Sequence, residues 1–448
     1  MPQVLIVGAG VTGLTLAIEL LRRDIDVRIV DSATEYFSGS CGKGIQPRSI
    51  ELLDMAGLAD EIMASGTLYP FIKLHFGPIG IKAWSLGTHL PPTEDRSYPN
   101  LMMLAQWRTE EILRSRVEAL GGKVELGAGI EALAQTPGDV RVTLTTGEVV
   151  TAAFVVACDG GRSTTRRLLG LQLLGSTVDA KTSIVADLEI DGLDPAFWHA
   201  YPLWRGGLHT LAPLPGGELF QLQAPESIAA NGLEAGVARM TGKTVRRVAW
   251  QSRYGHQTRM VDRYRVGRVF IAGDAAHIHP PSGAQGLNTG MQDAFNLGWK
   301  LVSAIRTRDE GILDTYEAER LPIAAAMLKL TGEMHSTVSK SRGDLTNQLG
   351  LSYHGGPLAT GPASGQLRPG DRIPDRRLAD GRRLYEAMRH GGATQIMSTD
   401  GDHVLVRPDG YIAEVGGVEV ASYHGHDVVH VPAQADRQEA WEAIHPGG

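Results

Sequence analysis

The tightest constraint on how this chain can fold lies at its start. Gln3 to Asp31 reads QVLIVGAGVTGLTLAIELLRRDIDVRIVD. It holds an apolar run Val4-Leu5-Ile6-Val7, the glycine turn Gly8-Ala9-Gly10-Val11-Thr12-Gly13, a helix-period segment, and a second apolar run closed by Asp31. That order predicts strand, tight turn, helix, strand. Glycines at the first, third and sixth turn positions let the backbone bend sharply, approach a pyrophosphate closely and pack helix against strand. The free N–H groups and positive dipole end of the helix then face the phosphates. Asp31 closes the second strand about 20 residues on, where a carboxylate accepts hydrogen bonds from the adenosine ribose. An adenine dinucleotide is implied; the turn alone does not choose between NAD and FAD.

The chain of 448 residues is too long for one small core, and two or three domains are expected. A formal net charge of −7 argues against a general nucleic-acid binder, which needs a basic face. The two cysteines, Cys41 and Cys158, can build neither a disulfide framework nor an all-thiolate zinc site, and no CxxC pair offers a dithiol relay. The chain enters its first strand at once, and no apolar run approaches the ~20 residues that span a bilayer. A cytoplasmic setting without a membrane is the default expectation.

Beyond Asp31 a polar loop, Ser38 to Gly44, suits either a chain running against a flat ring or a flexible connection, and Ile50 onward reads as a helix. The proline-rich residues 66 to 100 read as an excursion into a second sheet. Met102 to Leu113 predicts a strand passing into a helix, with Thr109 as N-cap and Gln106 either on a cofactor or capping the turn. Strands are expected at Lys123–Leu126, Val140–Leu144 and Thr151–Ala157, the last delivering Asp159-Gly160-Gly161-Arg162-Ser163-Thr164-Thr165-Arg166 to the carboxyl end of a parallel sheet. Residues 197 to 222 read as short antiparallel strands whose aromatic face, with Trp198, Trp204 and Phe220, forms either plain sheet core or the wall of an apolar ligand cavity.

A second informative stretch runs from Gly267 to Gly290: a buried strand ending in Gly273-Asp274, a Pro/Gly loop, then a helix from Asn288 to about Ile305. His277 and His279 near Asp274 suggest a metal only weakly, because the loop supplies no further ligand, and none is expected. A further helix runs from Leu313 to Arg320, with Pro322 expected to interrupt it before an alanine-rich helix. Gly350 to Gly370 reads as a linker. The tail carries strand-like pieces at Val404–Val406 and Val418–Val420.

Three motifs in this order resemble those of the single-component FAD-dependent aromatic hydroxylases, the para-hydroxybenzoate hydroxylase family. They are the Gly8-to-Gly13 turn with Asp31, the Asp159-Gly160 segment, and Gly273-Asp274 with Pro281 and Gly286-Leu287-Asn288. The run PPSGAQGLNTGMQDAFNLGWKL is most similar to the branch acting on polyketide aromatics, phenols and rifamycins. The resemblance implies an α/β fold: a Rossmann-like FAD-binding domain (1–70, 101–178 and 262–330) interleaved with a mixed β-sheet substrate domain (71–100 and 179–261). A helix and linker (331–370) and a small, abbreviated thioredoxin-like C-terminal region (371–448) complete it.

It implies roles by position. Thr12 and Asp31 serve the adenosine half of FAD, and Gly8, Gly10 and Gly13 its pyrophosphate. Gln106 holds the ribityl or pyrophosphate region, Asp274 the ribityl hydroxyls, and the backbone of Gly286, Leu287 and Asn288 the pyrimidine edge of the flavin. Asp159 to Arg166 serves both FAD and NAD(P)H. Many relatives carry an arginine where this chain has Cys41-Gly42-Lys43-Gly44; Lys43 is expected to supply that charge without the forked contact. The implied activity is hydroxylation of a phenolic or polycyclic aromatic substrate with NADPH or NADH and O2 through a flavin C4a-hydroperoxide, by a monomer or homodimer. No catalytic acid or base is identified. The alternatives are another FAD-dependent oxidoreductase on this scaffold or a non-catalytic FAD-containing binder of aromatic compounds.

Overall fold

The computed structural model describes residues 2–76, 79–85, 89–202, 204, 207–280, 282–336, 343–363, 367–378, 380–398, 403–416 and 427–431. The opening apolar runs form the middle of a six-stranded sheet, ordered Arg265–Val266, Val269–Ile271, Phe154–Ala157, Val4–Val7, Val27–Asp31 and Val124–Leu126. All neighbours are parallel except the first pair. Val4–Val7 and Phe154–Ala157 are buried throughout, as strands covered on both faces must be. Helix Val11–Leu21 lies against the long helix Gly286–Thr307. Glycines set that approach: a Cβ on Gly298 would stand 2.7 Å from Cβ of Glu19, and one on Gly290 2.4 Å from Oγ1 of Thr12.

The excursion expected between residues 66 and 100 joins an eight-stranded sheet. Its order is His277–Ile278, Val245–Met260, Leu174–Ile190, Leu219–Pro225, His209–Pro213, Phe197–Tyr201, Phe71–Phe76 and Ile79–Ser85. Side chains alternate across a sheet, so its two faces can be told apart. Ile184, Leu188, Leu211, Phe220 and Leu222 pack on one face with Val237 and Met240 of helix Leu233–Thr241. The residues between them, Asp187, Ala212 and Gln221, together with Trp198, occupy the other face, where loop 39–44 and Tyr69 meet them. Short strands Gly44–Ile45, Met102–Met103 and Thr67–Leu68 form a small antiparallel sheet at that junction.

Several local expectations give way to tertiary packing. Thr109 is no N-cap: helix Gln106–Ala119 starts from Ala105, four residues earlier, and the buried Thr109 hydroxyl donates to the Ala105 carbonyl at 3.2 Å. Thr151–Ala157 is two strands, Val149–Ala152 in a three-stranded antiparallel sheet and Phe154–Ala157 in the central one. Pro322 does not interrupt its helix, which runs unbroken as Asp314–Ser336. The lost N–H costs one hydrogen bond, and burial of Tyr316, Arg320, Ala324 and Met327 along the helix outweighs it.

The chain expected as a linker is anchored at its start. Leu351 and Tyr353 sit in a cluster with Ile323, Met327 and Tyr411. The described tail residues form a four-stranded mixed sheet, Ile412–Val415, His403–Val406, Thr394–Ser398 and Asp427–Val431. Buried charges dock it: Arg407 reaches Glu319 at 2.7 Å, and Arg48 donates to the Asp409 carbonyl at 2.7 Å. The expected piece Val418–Val420 lies outside the described residues.

Candidate active site

The glycine turn has the geometry that a close backbone approach demands. Gly8 has φ +105°, and a Cβ there would stand 2.3 Å from the Cys158 carbonyl oxygen; one on Gly13 would stand 1.9 Å from the oxygen of Gly8. Neither position accepts a side chain. At Gly10 the nearest atom to a Cβ is Oε1 of Glu110, at 3.8 Å, so the space over the helix start is open. Gly10 is the N-cap and offers no side chain to the first-turn N–H groups; the Glu110 carboxyl takes the Val11 N–H, and those beyond it suit an anion. The Asp31 carboxylate is held at the rim by the N–H groups of Ala9 and Ala33, at 2.7 and 2.8 Å. Each oxygen keeps a lone pair for a sugar hydroxyl.

Gln106 bridges this turn to loop 39–44: its oxygen accepts from Gly42 N at 2.9 Å and its amide donates to Glu110 at 2.8 Å. Glu110 escaped the sequence reading. Burial raises its carboxyl to about 7 despite the Gln106 hydrogen bond, so it stands beside the anion seat only partly charged at neutral pH. The signal was faint, one acid inside a helix four residues after Gln106.

At the other end, Gly273 (φ +61°) turns the chain out of strand Val269–Ile271, and its N–H donates to Asp293 at 3.0 Å. A Cβ on Gly273 would stand 2.4 Å from Oγ1 of Thr12, so Thr12 is wedged between this turn and the helix carrying Gly290. Asp274 is exposed, yet desolvation raises its carboxyl, with His277 opposing only in part. An accessible carboxylate in desolvating surroundings lies in a cleft. Helix Gly286–Thr307 also begins without a side-chain cap. Asn288 ties that start to the neighbouring loop, donating to the carbonyls of Gly44 and Ala284 and accepting from Gln46 N, each at 2.8 Å. Cδ1 of Leu287 lies 3.1 Å from where a Cβ on Gly42 would be, so that glycine lets the two loops close up. Pro281 lies outside the described residues.

Between the ends, Asp159 accepts from the N–H and hydroxyl of Thr165 at 3.0 and 2.9 Å. Its other oxygen is buried without a partner among the described residues. Arg166 links this segment to the Gly-Asp loop, donating to the Ala275 carbonyl at 2.9 Å. His277 binds Asp293 at 2.7 Å and His279 at 3.1 Å, and Arg320 holds the other oxygen of Asp293 at 2.7 Å. No group of His, Cys, Asp or Glu among the described residues could hold a metal. Two uncapped helix starts, a glycine turn with open space above it and an orphaned carboxylate oxygen fit a long dinucleotide with its phosphates at the first helix.

The aromatic wall divides. Trp198 lies on the sheet face toward this cleft, with Tyr69 at 5.6 Å between ring centroids. Phe220 and Trp204 do not. Both pack into the opposite layer under helix Leu233–Thr241, because the register pairs Phe220 with Leu188 and sends Gln221, paired with Asp187, to the cleft face. Lys43 is not turned toward Asp31 or the glycine turn; its ammonium donates to Gln221 and lies 5.1 Å from the Trp198 ring centre. Cys41 is exposed, yet burial and then the carboxylates of Asp274 and Asp187 push its thiol up to about 11. Loop 39–44 therefore runs between the Gly-Asp loop and the sheet.

A βαβ corner and a distant Gly-Asp loop closing on one cleft, with a second sheet across it, define a flavoprotein of the single-dinucleotide kind. The chain belongs to the family described as FAD binding domain, whose model matches residues 1–204 and 224–331, and FAD is its cofactor. It is 39% identical over 457 residues to a flavin-dependent monooxygenase of Mycobacteroides abscessus, covering 91% of this chain and 96% of that one. It is 32% identical to a rifampicin monooxygenase of Streptomyces venezuelae over 92% of this chain and 95% of that one. The solved anhydrotetracycline hydroxylase of Streptomyces rimosus superposes with a TM-score of 0.71 at 30% identity, over 94% of this chain and 96% of that one. Flavin-dependent monooxygenation is the activity of these relatives and of this chain's family. Among the described residues no helix is long and apolar enough to cross a membrane.

Proposed function

We propose that this chain is a NAD(P)H-dependent hydroxylase of a phenolic, polycyclic aromatic compound, of the chemical class that rifampicin and anhydrotetracycline represent in its relatives. The observation that carries the reading is Trp198, which stands half-buried on the cleft face of the eight-stranded sheet beside Tyr69, 5.6 Å between ring centroids, over an apolar wall of Met103 and Ala212 packed behind them. That wall is apolar enough to seat a ring and exclude water.

FAD, when bound, would supply the redox chemistry: hydride acceptance from the nicotinamide and transfer of one oxygen atom from O2 to the ring. This chain's residues bind, orient and shield. The N–H groups after Gly10 and the approach at Gly8 and Gly13 serve the pyrophosphate, and Asp31 the adenosine ribose. Thr12 braces the turn, and Gln106 fixes Gly42 beside the cofactor. Asp274 takes the ribityl hydroxyls, and the N–H groups at Gly286, Leu287 and Asn288 the pyrimidine edge, where a helix N-terminus favours negative charge. Pro281 belongs to the same loop in sequence. Asp159 to Arg166 serves both FAD and the nicotinamide nucleotide, which binds only transiently. The tail, a mixed sheet without cysteine, is an abbreviated thioredoxin-like region with a docking rather than a redox role. The setting is cytoplasmic, as a monomer or homodimer.

The test is NADPH and NADH oxidation by the flavin-loaded protein in air, with and without hydroxyanthraquinones, naphthols and simple phenols. Acceleration by a subset of these, with a hydroxylated product, is expected. Oxidation at one slow rate whatever ring compound is present would point to a binder or a plain reductase.

A further inference from the structure

Loop 39–44 carries a buried charge, Lys43, expected at the flavin but directed by its contacts to Gln221 and Trp198 on the sheet. We infer that the Lys43 ammonium is the substrate-binding cation of this enzyme, receiving a phenolate oxygen of the aromatic ring and holding the ring ionised. The inference rests on the cleft face of the eight-stranded sheet being the substrate wall.

The geometry behind it is a built seat. Lys43 is buried, and among the described residues its one hydrogen-bond acceptor is Oε1 of Gln221, although an ammonium has three donors. Gln221 is fixed in turn: its amide donates to the hydroxyl of Ser40 at 2.8 Å. Ser40 N donates to Asp187 at 2.9 Å, and the Ser40 hydroxyl binds the same carboxylate. The cation is thus held from the sheet side. Trp198 lies beside it, with an indole N–H buried and without a partner among the described residues. Two donors next to Tyr69, Met103 and Ala212 suit an oxygen on an apolar ring rather than a phosphate.

The charges facing Lys43 are Asp187 across the loop and Cys41 on it, with Asp274, Glu110 and Tyr254 around Cys41. Burial lowers the ammonium to about 8, and Asp187 and Cys41 oppose this only in part. Near neutral pH the amine is therefore close enough to its own titration to exchange a proton. Where Lys43 is neutral, the phenol O–H bond breaks and an N–H bond forms. The electron pair stays on oxygen and enriches the ring carbons ortho and para to it, the positions that an electrophilic oxygen attacks. Where Lys43 is already charged, the phenolate arrives having lost its proton to water. Either route ends in the same ion pair, and the phenolate, by favouring the charged ammonium, holds that pair to a higher pH than the about 8 at which the amine alone titrates.

The probe is alizarin, a hydroxyanthraquinone whose anion is red and whose neutral form is yellow, titrated into flavin-loaded enzyme across a pH series. Bound to the wild type, alizarin is expected to ionise at least about one pH unit below free alizarin. In Lys43→Met that shift disappears and affinity for the anion falls about tenfold or more, while flavin absorbance is retained. Lys43→Arg restores part of the shift. Equal shifts and affinities in wild type and Lys43→Met overturn the assignment to Lys43 alone. Loss of flavin in Lys43→Met with no shift in the wild type returns Lys43 to the nucleotide and also overturns it. Absence of any alizarin binding by the wild type overturns the substrate wall and the proposed function with it. If Lys43→Met does not fold, the wild-type shift decides: bound alizarin that stays neutral where free alizarin ionises refutes the inference.

Discussion

The two walls of the cleft recognise by different means. On the nucleotide side, binding groups are backbone: helix starts at Val11 and Gly286 whose N-cap residues offer no side chain, the first set in a turn where Gly8 and Gly13 admit no side chain. Across the cleft they are side chains, Lys43, Gln221, Asp187 and Ser40, brought from positions up to 181 residues apart. Backbone donors have fixed geometry and tolerate no change in shape, which suits a cofactor that every turnover reuses. A side-chain cluster can be altered one residue at a time, which suits substrate choice. The glycine corner should therefore fail completely when perturbed, and the sheet face should fail selectively.

The largest effect is expected at the corner. Gly13→Ala places a Cβ 1.9 Å from the Gly8 oxygen, a clash with backbone that no rotamer relieves. It should cost about 3 kcal/mol or more and yield colourless protein; a yellow variant with an unchanged urea midpoint would break the comparison at its root. Next come the two sheet faces. Phe220→Ala empties the back layer and should cost about 3–5 kcal/mol in urea unfolding, with alizarin affinity of the folded fraction unchanged. Trp198→Ala should do the reverse, weakening alizarin more than it weakens the fold. If both variants behave alike, the faces have been assigned wrongly.

A smaller effect belongs to Asp274→Ala, which should weaken FAD by about tenfold to a hundredfold through loss of charged hydrogen bonds, read by flavin release on dilution. Unaltered flavin retention would remove Asp274 from the ribityl role. The smallest is a pH effect on docking of the tail. Burial alone would raise the Glu319 carboxyl, but Arg407 and Lys300 outweigh it and bring it down from 4.5 to about 2. Its stabilisation is therefore complete above pH 4.5 and lost as pH falls toward 2. The difference in unfolding free energy between wild type and Glu319→Gln should shrink over that interval; a constant difference would show that the carboxylate is not what holds Arg407.

What the sequence disclosed follows the same division. The corner, the Gly-Asp loop and the parallel sheet were legible because each motif is local: a turn that needs positive φ or close backbone contact must write glycine at fixed spacing. For Phe220 and Trp204 the sequence leaves sheet core and cavity wall as equal alternatives, because facing depends on register and Pro213 and Pro215 obscure the alternation. The pattern Phe220-Gln221-Leu222-Gln223 held the signal, since glutamines alternating with buried apolar residues mark a second occupied face. Lys43 was read by its place in the loop, whereas its direction is set by Gln221 and Asp187, which no local pattern announces. Thr109 and Pro322 show packing overriding propensity: burial of neighbouring side chains fixed the helix where capping and proline rules pointed elsewhere.

The account stands on a flavin delivering oxygen to a ring seated against Trp198 and Lys43, and isotope transfer tests that most directly. Flavin-loaded enzyme is supplied with NADPH, labelled oxygen gas and the hydroxyaromatic compound that most accelerates NADPH oxidation, and the product is weighed by mass spectrometry. The account predicts a product carrying one oxygen atom from the gas. NADPH consumption that yields only hydrogen peroxide with every ring compound tried, or a product whose new oxygen comes from water, would contradict it.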